Sequence, residues 1–395
     1  MRYLTIILLF STLLLTSCFK DEAKNAECDI LSVWIEGDDY KDCFYQPETD
    51  MRQDNVLASN SQIIFNVKSL LSLPEIPLQF TLTPGATIEP ANGSMQDFSN
   101  GPVTYKVTSE DGQWSRTYTV EFREAEMPKV EFDFENYEIV DGSMLFINYK
   151  YYSWFEYDRS GNKRSVWATG NQGFGMGNSN LSADEYPTVP FDNGHEGKCV
   201  RMRTLSAGPL AEALKKYMAA GNLFIGAFDV DKALTSSLES TLMGKDFAFP
   251  ARPLKVKGYY KYTPGPVYRN EENNVVPGKT DEADIYAVLY RNKDENGDPV
   301  VLDGGNVLTS KYVVSKARVE SLPPTETWKP FEMFFEEIAP VEDNLLDNYG
   351  YNLALVFSSS KDGALFCGAI GSTLYIDDVD ISIEKNDDLE EEGKQ

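Results

Sequence analysis

The stretch PVTYKVTSEDGQWSRTYTVEFRE, residues 102–124, decides the fold class. Val103, Tyr105 and Val107 alternate with Thr104, Lys106 and Thr108, and Tyr118, Val120 and Phe122 alternate with Thr119, Glu121 and Arg123. A period of two sends alternate side chains to opposite faces of a strand, so each run predicts a strand with one buried face. Between them, EDGQW (residues 110–114) carries an Asp-Gly pair, whose glycine accepts the left-handed backbone of a hairpin turn. Working upstream, ILSVWI (30–35), QIIFNV (62–67) and PLQFTLTPGATIEP (77–90) repeat the strand-and-turn rhythm.

About six short strands in roughly one hundred residues predict an immunoglobulin-like sandwich, set here at residues 28–126. Proline and charge in EAEMPK mark its end. A second β-rich region, 130–384, opens on VEFDFENYEI and closes on STLYIDDVDISI. One segment there reads as a helix, GPLAEALKKYMAAG (208–221), with Pro209 suited to the first turn and Gly221 to the cap. Leu210, Leu214 and Tyr217 would share its buried face. The fold expectation is therefore all-β: an immunoglobulin-like sandwich followed by a jelly-roll sandwich with one short helix. The acidic residues 385–395 are too poor in apolar side chains to fold and are expected to form a loose tail.

Charge excludes one class of partner. With 62 Asp and Glu against 36 Lys and Arg the formal net charge is −26, and nothing in the chain supplies the basic patch that a nucleic-acid binder needs. The N-terminus points to a membrane surface instead. After Arg2, an apolar run of about 13 residues ends at LTSC (15–18), too short for a span of about 20 residues. LTSC resembles the lipobox of bacterial lipoproteins, which implies cleavage after residue 17 and lipidation of Cys18. FKDE (19–22) resembles the signal that sends such lipoproteins to the outer face of the outer membrane. Residues 1–17 are thus expected to be a signal peptide and 18–27 a lipidated tether, with the membrane met only through that anchor. In that oxidising space Cys28 and Cys43 are expected to pair across a hairpin-like segment, whereas Cys199 and Cys367 read equally well as buried thiols.

The residues 81–122 resemble the Ig-like N-terminal modules of surface lipoproteins. VWATGNQGF, YPTVP, FAFPARPLKVKGYYKYTPG and IDDVDI, over about residues 130–384, are similar to the carbohydrate-metabolism domain carried by such lipoproteins, a galactose-binding-like jelly roll. The resemblance implies a carbohydrate ligand, an outer-membrane glycan-uptake partner and, at the first and last strands, a structural calcium held by Asp133, Glu135 and one of Asp377 and Asp378. Alternation puts Asp377 and Asp378 on opposite faces, so only one can point at a given ion, and Asp378 is the one named here; the bland alternative is that these acids face solvent at the rim of the sheet. No other cofactor is implied.

Sugar rings need flat apolar faces with amides and charges beside them. Residues 151–172 supply Trp154, Tyr157, Arg159, Trp167, Asn171 and Gln172, and Tyr260 lies in a second aromatic cluster. The competing reading is that these rings fill the sandwich. Catalytic residues are not legible. The single histidine, His195, sits in a loop-like DNGHEGK, and there is no HExxH, GxSxG or phosphate loop. A glycoside hydrolase using two carboxylates is the alternative function, but a chain this acidic singles out no pair. A structural or adhesive surface protein is the third. NKDENGDPVVLD (292–303) partly echoes an EF-hand loop, yet its Asn-Gly-Asp-Pro reads as a hairpin turn.

Overall fold

The structure is a computed structural model, and it describes residues 24–384 apart from 46, 55, 58–60, 126–127, 145–146, 159–160 and 234. The lipobox with Cys18, most of the tether, Arg159 and the acidic tail lie outside the described residues. The chain divides into two compact units between Glu124 and Ala125, and both are all-β.

In the first unit, β1 (Ile30–Ile35), β2 (Arg52–Asp54), β4 (Ile76–Leu82) and β6 (Met95–Gln96) form one sheet in the order β2-β1-β4-β6. The other is β3-β8-β7-β5, from β3 (Gln62–Val67), β5 (Thr87–Glu89), β7 (Val103–Thr108) and β8 (Ser115–Glu124). The hairpin read from residues 102–124 is present, with Tyr105 opposite Tyr118 and Thr108 opposite Ser115. Asp111 caps the turn by accepting from Ser109 and Gln113, and Gly112 takes φ +70°. Each strand buries the face its alternation predicts, so Phe65, Phe80, Tyr105, Tyr118 and Phe122 share one core. Cys28 and Cys43 contribute to that core as free thiols. The expected bridge is not formed: each sulfur is packed with apolar neighbours, and burial pushes both thiols up in pKa.

The second unit is a sandwich of two antiparallel sheets. We label its longer strands β9 (Glu131–Phe132), β10 (Tyr137–Met144), β11 (Ile147–Trp154), β12 (Trp167–Ala168), β13 (Thr188–Phe191), β14 (Cys199–Arg203), β15 (Asn222–Phe228), β16 (Pro253–Thr263), β17 (Asp284–Arg291), β18 (Val313–Arg318), β19 (Thr325–Phe334), β20 (Tyr351–Ser358) and β21 (Thr373–Ile383). The covered sheet runs β12-β15-β20-β17-β18, and β17 and β20 are buried on both faces because loops and short helices lie over the side away from the core. The open sheet runs β13-β14-β21-β16-β19, with β9 added beside β21. Val256, Tyr260 and Tyr262 of β16 and Leu374, Ile376 and Val379 of β21 point from the open sheet into the common core.

The expected helix over residues 208–221 is a correction. Helix spans only Pro209–Ala213, Lys215 turns left-handed at φ +61°, and Met218–Ala219 pairs as a strand with Leu205–Ser206. Pairing with a neighbouring strand outweighs the helix preference of the Ala, Leu and Lys residues. Leu210 and Leu214 are exposed rather than packed. A helix that composition disfavours forms instead at Asn171–Gly177, where three glycines allow close packing: a Cβ on Gly175 would lie 2.4 Å from the Tyr149 ring. The EF-hand echo is a turn, with Asp294 accepting from the backbone of Asn296 and Asp298.

Candidate functional site

The residues expected to touch sugar are mostly core. Trp154 is 1% exposed and packs against Tyr137. Trp167 is buried among Phe132, Phe134 and Phe357, and its Nε1 donates to Glu156 Oε1 at 3.0 Å. Glu156, itself buried, is paired with Lys129 at 2.8 Å, and burial raises its pKa. Asn171 is fully buried and splices two segments, donating to the Thr188 carbonyl and accepting from its amide. Gln172 donates to the Tyr151 hydroxyl. Tyr260 points inward, donating to the Pro323 carbonyl at 3.2 Å. Tyr157 alone of the described set stands out from the surface, edge-on to Phe155. The physical reason is burial: in a chain with many aromatics, large rings are drawn first to the core between the sheets.

The solvent side of the open sheet carries the aromatic row that the reading missed. Phe191 ends β13, Tyr375 lies on β21, Tyr259 and Lys261 on β16 and Trp328 on β19, all half-buried. The Phe191 and Tyr375 centroids are 5.0 Å apart. Lys261 Nζ lies 4.7 Å from the Tyr375 centroid and 4.5 Å from that of Trp328, bridging the two rings. His195 continues the row, stacked on Tyr259 at 3.6 Å and edge-on to Trp328 at 6.2 Å. Beside them on β14, Arg201 stands opposite Tyr375, its guanidinium 5.9 Å from the Phe191 ring, and Arg203 follows two residues on. Burial and the nearby Arg203 draw the Arg201 pKa downward.

Strand parity was the available signal. In β16 Tyr260 and Tyr262 share the parity of buried Val256, so Tyr259 and Lys261 must face out. In β14 Val200 and Met202 are core, and Arg201 and Arg203 take the alternate positions.

A β-bulge positions the end of this row. Lys257 pairs with Asp380 but Tyr259 with Asp377, so β21 carries an extra residue there, and Asp378 takes φ +47°. The doubled Asp377-Asp378 sends Asp377 inward and Asp378 to the partly exposed side. Asp377 Oδ2 accepts from the amides of His195 (2.6 Å) and Glu196 (3.2 Å), and Asp378 Oδ2 lies 2.6 Å from His195 Nδ1. Glu135 accepts from the Lys198 amide at 2.6 Å and Asp133 from that of Glu135. Of the acids named for calcium, Glu135, Asp377 and Asp378 thus clamp the 194–198 loop, while Asp133 holds the Glu135 amide. Among the described residues no three His, Cys, Asp or Glu side chains gather as a metal site. Burial, then the adjacent Asp378, pushes Asp377 up to about 7, against the pull of its amide donors.

Two concavities flank these elements. An open groove of about 800 Å³ runs along the bulge between Lys129, Asp133, Lys257, Tyr259 and Asp378. A cleft of about 420 Å³ lies over the covered sheet, with Leu210, Leu214, Phe228 and Phe366 on its walls. Among the described residues lining that cleft Asp284 is the one carboxylate, and it is held by both nitrogens of the Arg318 fork at 2.8 Å. A two-carboxylate hydrolysis has no second acid there.

Comparison with known proteins agrees with this architecture. Residues 133–382 match the family described as "Putative carbohydrate metabolism domain", and residues 49–121 match "SGBP, N-terminal", the N-terminal module of surface glycan-binding proteins. A crystal structure described as a "putative glycoside hydrolase" from Bacteroides thetaiotaomicron is 35% identical, with 93% of this chain and all of that one covered at a TM-score of 0.78. Another of the same description, from Bacteroides vulgatus, is 32% identical over 66% of this chain and all of its own, at a TM-score of 0.59. No curated protein matches the sequence. Model, strand order and identity together show that the chain belongs to the "Putative carbohydrate metabolism domain" family, with an N-terminal module of the surface glycan-binding kind.

Proposed function

We propose that the protein captures carbohydrate on the open sheet of its second unit. The observation that carries this reading is the half-buried row Phe191, Tyr375, Trp328 and Tyr259 on a solvent-facing sheet. Such rings offer flat apolar surface to the C–H faces of pyranoses, and Lys261, Arg201 and Arg203 beside them offer donors to ring substituents. Core aromatics hold the sheet; these do not pack inside it. The N-terminal unit serves as the spacer of a surface lipoprotein anchored at Cys18 in the outer membrane, with glycan passed to an uptake partner there. Among the described residues no helix is long and apolar enough to cross a membrane, which accords with an anchor outside the fold.

Affinity electrophoresis in gels containing single polysaccharides tests the reading. Wild type is retarded by its glycan, and Trp328→Ala and Tyr375→Ala abolish the retardation while leaving the unfolding midpoint near wild type. Retention that survives both changes overturns the assignment of this face.

The crystal structures described as glycoside hydrolases favour one second reading, hydrolysis in the acidic groove, where Asp133, Asp378 and Asp380 line one wall. Release of reducing sugar, lost in Asp378→Asn, would establish it. A binder releases none.

A further inference from the structure

We infer that the glycan held on the open sheet is a polyuronate, a saccharide bearing one carboxylate on each ring. The inference rests on the glycan-binding reading above and adds the chemical class of the ligand. Arg201 projects from the solvent side of β14 beside Phe191 and opposite Tyr375, Lys261 of β16 lies over Tyr375 and Trp328, and Arg203 stands two residues beyond Arg201, opposite Thr373. This chain has 62 acidic side chains to 36 basic ones, and most of its described lysines and arginines are ion-paired. These three are not: among the described residues none has a carboxylate within 4 Å. Beside its contact with the Phe191 ring, Arg201 makes one side-chain hydrogen bond among the described residues, to the Asp184 backbone carbonyl at 3.4 Å, while the Asp184 carboxylate accepts from the Tyr152 hydroxyl. The Nε atoms of Arg201 and Arg203 are buried without a hydrogen-bond partner. Unpaired guanidinium groups half out of water are costly unless an acceptor arrives, so the arrangement is completed by an anion from outside.

The aromatic neighbours narrow that anion. Arg201 stands opposite Tyr375, and Lys261 lies over both Tyr375 and Trp328. A ligand that satisfies both features presents an apolar face to a ring and a negative group at its edge within one residue. A uronate does so, since its carboxylate projects from the ring edge in the ring's mean plane and leaves the C–H face free to stack. The planar guanidinium fork suits a carboxylate through two parallel hydrogen bonds. Two arginines at alternate positions of one strand lie about 7 Å apart at the backbone. The net charge of −26 also opposes unselective attraction of polyanions, so retention must come from this face.

The test uses the full chain in the presence of EDTA, with four matrices: polygalacturonate, methyl-esterified polygalacturonate, dextran sulfate and dextran. Wild type is expected to be held by polygalacturonate, with affinity falling as salt rises, and not by the methyl ester or by dextran. Arg201→Gln with Arg203→Gln should weaken binding by about tenfold or more, as expected for lost charge-assisted hydrogen bonds. Lys261→Met, which removes the ammonium over Trp328 but keeps an unbranched side chain, should weaken it without shifting the unfolding midpoint and serves as the control if the double variant folds poorly. Equal retention by the methyl ester and polygalacturonate, lost only in Trp328→Ala, overturns the polyuronate and leaves glycan binding standing. Retention by dextran sulfate alone overturns the carboxylate assignment. No retention by any matrix overturns the polyuronate, and a silent neutral-glycan panel beside it would overturn glycan binding as well.

Discussion

If the open sheet holds glycan as proposed, the two tryptophans Trp154 and Trp328 should separate stability from recognition. Trp154 fills the core of the second unit, so Trp154→Ala should cost about 3–5 kcal/mol of stability. Trp328 sits half-exposed beside Lys261, and its removal should cost less than about 1 kcal/mol while abolishing glycan retention. Chemical denaturation and affinity gels on both variants check the pair. Asp377 carries a pH signature. An unfolded aspartate titrates near 3.9, and in the fold Asp377 is pushed up to about 7. Between roughly pH 4 and pH 7 the folded state binds the extra proton, so this group's contribution is full below pH 4 and is lost as pH rises through 7. Burial shifts Asp281, Asp284 and Glu156 in the same direction. The melting temperature of the second unit should therefore fall across this window, and Asp377→Asn should flatten the slope without removing it.

Among the elements, β21 shows how much one inserted residue decides. Leu374, Ile376, Val379 and Ile381 are all core, yet 376 and 379 are three apart, which no regular strand allows. The bulge at Asp377-Asp378 restores the inward face beyond it. Deleting Asp378 should remove the bulge and put Val379 and Ile381 in regular alternation with Ile376, so the second unit should stay folded by circular dichroism while the Asp378 contact to His195 is lost. With the length kept, the left-handed φ at 378 predicts that Asp378→Val is less stable than Asp378→Gly by about 1–2 kcal/mol, measured by urea unfolding. The 376-to-379 gap was visible in the sequence, and so was the outward parity of Tyr259, Lys261, Arg201 and Arg203. Density of aromatics drew attention to residues 151–172 instead, where Trp154 and Trp167 proved to be core. The helix at 208–221 failed for a different reason: its competitor, the strand pairing of Met218–Ala219 with Leu205–Ser206, is a tertiary contact that propensity does not contain.

On the scale of the whole molecule, each unit has its own hydrophobic core. A charge placed in the first core, as in Phe65→Asp, should therefore abolish that unit's unfolding transition in calorimetry. The transition of the second unit and its Trp328-dependent binding should remain. The sequence by itself determined the all-β class, the hairpin at residues 102–124 and the resemblance to the carbohydrate-metabolism family, because period-two alternation and turn chemistry are local properties of the chain. Which aromatic clusters fill the core, what the acids of the last strand hold and which cations stand unpaired were decided only in the tertiary structure. Those outcomes depend on competition for one shared core and on the register between distant strands, and neither quantity is written in any short stretch of residues.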